Sequence, residues 1–199
     1  MENNTPNIFT LNNRCVLGTL GPKTFQVQQP VCSQCNRTLK EEIDYSEIDY
    51  RFDQYNGEDL FSANNALIVT TNLYDALVKN NIKGMIPVKV TTTQKDVPDF
   101  IHLAIIPSRV ENIPITFDAQ EKCNVCNSYI LKFDLNKFKL NFRKDTENAI
   151  HLQVDHSTWN GNDLFDFKYH GEIGVTQKFL DVINDFNCPE NVIIPAEWI

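Results

Sequence analysis

Tyr55-Asn56-Gly57-Glu58-Asp59-Leu60-Phe61 recurs as Trp159-Asn160-Gly161-Asn162-Asp163-Leu164-Phe165, and this recurrence decides how the chain is read. Five of the seven positions are identical and the first is aromatic in both. The likeness continues downstream in the same order: Val69-Thr70 with Val175-Thr176, Leu73 with Phe179, Asp75 with Asp181, Ala76-Leu77 with Val182-Ile183, Asn81 with Asn187. Each segment closes on an apolar pair before proline, Met85-Ile86-Pro87 and Ile193-Ile194-Pro195. Upstream, Cys32-Ser33-Gln34-Cys35-Asn36 is answered by Cys123-Asn124-Val125-Cys126-Asn127. One such match arises by chance, but four in a fixed order point to an internal duplication.

The first half-repeat is read as residues 1–90 and the second as 100–199, with a polar, proline-containing linker at 91–99. The expected fold is α+β, two knuckle-bearing half-units related by pseudo-twofold symmetry and together forming one unit. Thr24–Val27, Phe100–Ile106, Tyr129–Leu135 and Phe138–Phe142 are rich in β-branched and aromatic residues or alternate apolar with polar, as strands do. Leu73, Ala76 and Leu77, like Phe179, Val182 and Ile183, have helical spacing, and Thr70 and Thr176 stand where an N-cap belongs. Asn-Gly at 56–57 and 160–161 marks a turn in each half.

With 42% hydrophobic residues, the 199-residue chain can fill a core without a disulfide scaffold. The net charge of −8 makes a phosphate backbone a poor partner and a basic protein a good one. The acid excess lies almost entirely after Lys95, although the stretch from Glu41 to Asp59 is also dense in carboxylates, with Arg51 its single base. That stretch reads either as a solvated face or as an electrostatic docking surface. The start lacks the basic and apolar regions of a signal peptide, and no run is long enough to span a membrane. A cytoplasmic protein with reduced thiols is therefore expected.

The two Cys-x-x-Cys pairs carry the most specific chemistry. Two intervening residues let a tight turn aim both sulfurs at one tetrahedral Zn²⁺, and two such turns complete a structural four-cysteine site. The asparagine after each pair, Asn36 or Asn127, tolerates the left-handed backbone such a knuckle requires. Because 87 residues separate Cys35 from Cys123, this is no local zinc ribbon. A pseudo-twofold axis would nevertheless bring the knuckles together. The favoured reading is one structural Zn²⁺ per chain held by Cys32, Cys35, Cys123 and Cys126, with no open position for catalysis. A redox dithiol, two independent pairs and no metal at all remain the alternatives. Cys15 and Cys188 read as small buried hydrophobes.

His102, His151, His156 and His170 have no metal spacing, and His102 sits in an apolar strand-like run. Asp155-His156 near Trp159 is read as a surface turn rather than an acid/base pair. The repeated Asp59 and Asp163 read as turn caps, with Leu-Phe anchoring the core behind each. The basic and aromatic run from Lys132 to Lys144 alternates as a half-buried strand does, which disfavours a nucleic-acid surface. Neither a phosphate loop at Gly18–Lys23 nor a nucleophile elbow is present, and no catalytic residue is assigned.

Two Cys-x-x-Cys knuckles, each followed by an aromatic-rich Asp-Leu-Phe turn and a short Val-Thr-started helix, resemble the double-CxxCG proteins, bacterial immunity proteins best known from myxobacterial toxin systems. Asn36 and Asn127 stand where that family has glycine. The resemblance implies a non-enzymatic cytosolic protein that binds and neutralises a cognate toxin domain, with Cys32, Cys35, Cys123 and Cys126 as metal ligands. It transfers no toxin-contacting residue, so the partner-binding face is unknown. The competing expectations are a zinc-stabilised adaptor or regulatory domain, and an enzyme with a scattered site around Asp155, His156 and Asp163.

Overall fold

The structure is a computed structural model. It describes residues 5–13, 15–20, 31–35, 48–52, 55–63, 66–92, 94–106, 110–114, 117–127, 129–133, 152–167 and 173–199. The strands expected at 24–27 and 138–142 lie outside the described residues, as do 41–47 of the acidic stretch, Asn36, His151 and His170.

In chain order the elements begin β1 (Ile8–Asn13), β2 (Val16–Leu20), β3 (Ile48–Phe52), β4 (Leu60–Ala63) and β5 (Ala66–Thr70). Helix α1 (Thr71–Lys79), β6 (Met85–Thr91) and β7 (Phe100–Ile105) follow. Then come β8 (Asn112–Pro114), β9 (Phe117–Lys122), β10 (Tyr129–Phe133) and β11 (Leu152–Val154). A 3-10 turn (His156–Thr158), β12 (Leu164–Asp166), β13 (Ile173–Thr176), α2 (Gln177–Ile183) and β14 (Asn191–Trp198) complete the chain. Among the described residues strands dominate and two helices join them, so the α+β class expected from the sequence is the class observed. Among the described residues no helix is long and apolar enough to cross a membrane.

Six strands close into a barrel in the order β2-β3-β6-β7-β5-β4, with β2 pairing β4 in parallel at the seam. Within it β3 and β6 also run parallel. A second sheet has the order β12-β13-β1-β14-β11-β8, with β11 and β14 parallel. A parallel bridge from Val110 to Phe167 lies beside the outer strands β8 and β12. Strand β1 is seated between β13 and β14, and β7 between β5 and β6. The second sheet thus takes β1 from the start of the chain, and the barrel takes β7 from beyond residue 99. Residues 92–99 connect the antiparallel strands β6 and β7.

The repeated Leu-Phe explains how the layers form. Neighbouring residues in a strand point to opposite faces. Phe61 joins Phe52, Ile68 and Phe100 in one core, while Leu60 turns to another containing Val69, Leu73 and Leu77. In the same way Phe165 packs with Ile8, Val154 and Phe167, while Leu164 joins the core shared with Leu60. That shared core also takes Phe179, Leu180, Val182 and Ile183 from α2, and α1 and α2 touch. Each of these fully buried Leu or Phe side chains contributes roughly 1.5–3 kcal/mol of transfer free energy.

Both helices start where the sequence places them. The Thr70 hydroxyl oxygen accepts from the Leu73 N–H at 3.4 Å, capping α1. Thr176 precedes α2 without such a cap; its hydroxyl donates to Asp163 at 2.9 Å. Gly57 and Gly161 have φ of 91° and 84°, the left-handed backbone that Asn-Gly supplies at a turn.

Candidate metal centre

The second knuckle is the turn of a hairpin: Lys122 at the end of β9 pairs with Tyr129 at the start of β10, and Cys123–Cys126 lies between. The Asn127 N–H donates to the Cys123 carbonyl at 2.8 Å, and Asn127 sits at φ 54°. The left-handed residue expected after the pair is therefore in place. The first knuckle, Cys32–Cys35, is likewise a turn. In it the backbone N–H groups of Cys35 and Gln34 hold the Cys32 thiol below its ordinary range.

The two turns meet although they are far apart in sequence. Cys32 Sγ is 3.8 Å from Cys123 Sγ, and Cys35 Sγ is 3.6 Å from Cys126 Sγ. All four sulfurs lie within 4.8 Å of one another, the one such gathering of His, Cys, Asp or Glu ligand atoms among the described residues. None of the six cysteines is in a disulfide. The cluster has an inside and an outside: Cys32 and Cys123 are each 1% exposed, whereas Cys35 and Cys126 are half-buried. Val31 and Val125 beside them project into solvent.

A tetrahedral ion at about 2.3 Å from each sulfur sets the sulfurs about 3.8 Å apart. A disulfide would need about 2.05 Å. The observed 3.6 Å and 3.8 Å approaches have the edge length of the tetrahedron. The donor set therefore fits a thiophilic ion with four sulfur ligands and no vacant position.

The remaining residues singled out in the sequence fall elsewhere. His102 is buried in β7, and burial lowers its pKa to about 4, so the ring is a neutral part of the interior. Cys15 lies in the core with Phe52 and Phe61; burial first, then Glu58 and Glu190, raises its thiol. Cys188 packs against the shared core, and burial with Asp59 nearby pushes its thiol up to about 12. Both are inert small hydrophobes, as the sequence suggests.

The Asp155 carboxylate accepts from the N–H and hydroxyl of Ser157 at 2.9 and 2.7 Å, capping the 3-10 turn. His156 is exposed, its ring 5.8 Å from Trp159 and 5.0 Å from Trp198. Asp163 is engaged elsewhere, with Thr176, the Lys83 N–H and Lys178.

Asp59 and Asp163 do more than cap turns, and sequence reasoning missed it. Each binds the threonine that precedes the helix of its own segment, Thr70 at 2.7 Å and Thr176 at 2.9 Å. Each also accepts a backbone N–H from the other half: Asn187 for Asp59, Lys83 for Asp163, both at 3.0 Å. The only signal in the sequence was the recurrence of Asp-Leu-Phe itself.

No family model matches the chain, and no curated protein matches it in sequence.

Proposed function

We propose that the protein is a non-enzymatic, zinc-stabilised immunity protein of the double-CxxCG type, which binds and neutralises a cognate bacterial toxin domain in the cytoplasm. The observation that carries this reading is the four-sulfur cluster joining two distant Cys-x-x-Cys-Asn knuckles. It supports one shared structural Zn²⁺, and a closed structural metal suits a binding scaffold better than a catalyst. The acidic balance supports a basic protein partner over nucleic acid.

The same reading includes a duplication of residues 1–90 and 100–199 about a pseudo-twofold axis, joined at 91–99. Strand order supports it. If β2, β3, β4, β5, β6 and β7 correspond to β8, β11, β12, β13, β14 and β1, the two sheets have one order, the parallel pair β3/β6 answers to β11/β14, and the Val110–Phe167 bridge lies where the barrel pairs β2 with β4. Each half then lends a strand to the other, β1 in one direction and β7 in the other. The Asp59 and Asp163 bonds across the halves support the same relation.

Co-expression tests the function. The chain should restore growth to cells expressing the toxin encoded beside it, and should form a stoichiometric complex with that toxin after purification. Failure of both with every neighbouring toxin-like gene would overturn the immunity reading. A second reading, an adaptor with another protein partner, rests on the same closed metal site and is favoured if a non-toxin partner co-purifies in fixed ratio.

A further inference from the structure

The four sulfurs differ in access. Cys32 and Cys123 are shut away, while Cys35 and Cys126, one from each knuckle, are half-buried and 3.6 Å apart. Sulfur oxidation follows thiolate character and access, and a shared ion would make thiolates of all four sulfurs, leaving access to separate them. A reagent arriving from solvent meets the outer pair first, and those two residues belong to different halves of the chain. A disulfide within one knuckle would have to recruit a buried sulfur.

We infer that Cys35 and Cys126 form an oxidation site, at which a hydroperoxide replaces the metal-held junction between the halves with a disulfide-held one. The metal's part in this rests on the zinc reading above. The chemistry is a two-electron oxidation. The terminal peroxide oxygen transfers to the sulfur of one outer cysteine as the O–O bond breaks, giving a sulfenic acid and hydroxide or alkoxide. The second outer sulfur attacks the first, the S–S bond forms and hydroxide leaves. Two thiolates have been oxidised, the peroxide has been reduced, and solvent protons convert the released hydroxide to water. The sulfurs need to close from 3.6 Å to about 2.05 Å, a shift within reach of two adjoining turns. The ion is left with two of its four ligands and is released. The junction persists as a covalent link, so oxidation expels the metal without parting the halves.

Hydrogen peroxide is added stepwise to the purified full chain, whose zinc content has first been measured. Released zinc is followed with a chromogenic chelator, and disulfides are mapped by mass spectrometry of unreduced peptides. The expected first product is a peptide pair joining Cys35 to Cys126, appearing in step with zinc release and reversed by a thiol reductant plus zinc. A first disulfide within one knuckle, over-oxidation without any disulfide, or oxidation confined to Cys15 and Cys188 overturns the proposal. If the purified chain carries no zinc, the metal reading fails on its own. The disulfide map of that metal-free chain still decides the site: a Cys35–Cys126 link supports it, and any other first link overturns it.

Discussion

Asp59 and Asn187 are 128 residues apart, yet the Asp59 carboxylate accepts the Asn187 N–H at 3.0 Å while the Asp59 N–H donates to the Asn187 carbonyl at 2.7 Å. The matching bonds run the other way at Asp163, which accepts the Lys83 N–H at 3.0 Å and donates its own to the Lys83 carbonyl at 3.0 Å. Each half thus holds a loop of the other by a carboxylate and a backbone pair. These bonds and the strands β1 and β7 tie the halves together independently of any metal.

Asp163 is the more costly of the two to lose, being 8% exposed. Asp163→Ala strands the Lys83 N–H and the Thr176 hydroxyl, and is expected to cost about 3 kcal/mol. Asp59→Ala, at a half-buried position, should cost about half as much. Urea denaturation with an unchanged slope measures both. Equal, negligible losses would mean that the bonds across the halves do not stabilise the fold.

Gly84 tests the close approach between halves. It has φ of 99°, and a Cβ there would collide with the Leu164 carbonyl oxygen. Gly57, at φ 91°, has nothing within 4 Å of such a Cβ. Gly57→Ala should cost only the backbone strain, about 1–2 kcal/mol. Gly84→Ala adds the clash and should lose about 3 kcal/mol or more. Thermal unfolding of the two variants isolates the difference.

His102 makes stability depend on pH. Burial lowers its pKa from 6.5 to about 4 in the folded chain. Between those values the unfolded chain holds the proton and the folded chain does not, so stability falls as pH drops through 6.5 towards 4. The full loss is about 3 kcal/mol. Denaturant titrations at pH 7.5 and 5 should show the wild type losing more than His102→Leu. Identical losses would place the ring's ionisation outside the folding equilibrium.

Some of this was legible in the sequence. Thr70 and Thr176 before helical spacing located both helices, and Cys32-x-x-Cys35 with Cys123-x-x-Cys126 located the four-sulfur cluster. Leu60-Phe61 read as an anchor in the core, but the sequence could not say that its two side chains enter different cores. Leu60 meets Leu164 in a core between the halves because α1 and α2 pack together, a long-range fact that periodicity does not encode. The seating of β1 between β13 and β14 was hidden for the same reason: Ile8 and Leu11 show burial and not a partner. Asp59 and Asp163 looked like turn caps because their local bonds are those of turn caps.

If one ion joins the two knuckles, metal analysis of the purified chain must register it. Zinc per chain is counted in the wild type and in Cys126→Ser, with the melting temperature of each. One zinc per chain, with both zinc content and melting temperature lowered in Cys126→Ser, is the predicted result. Two zincs per chain, or none with full stability, would contradict the shared site.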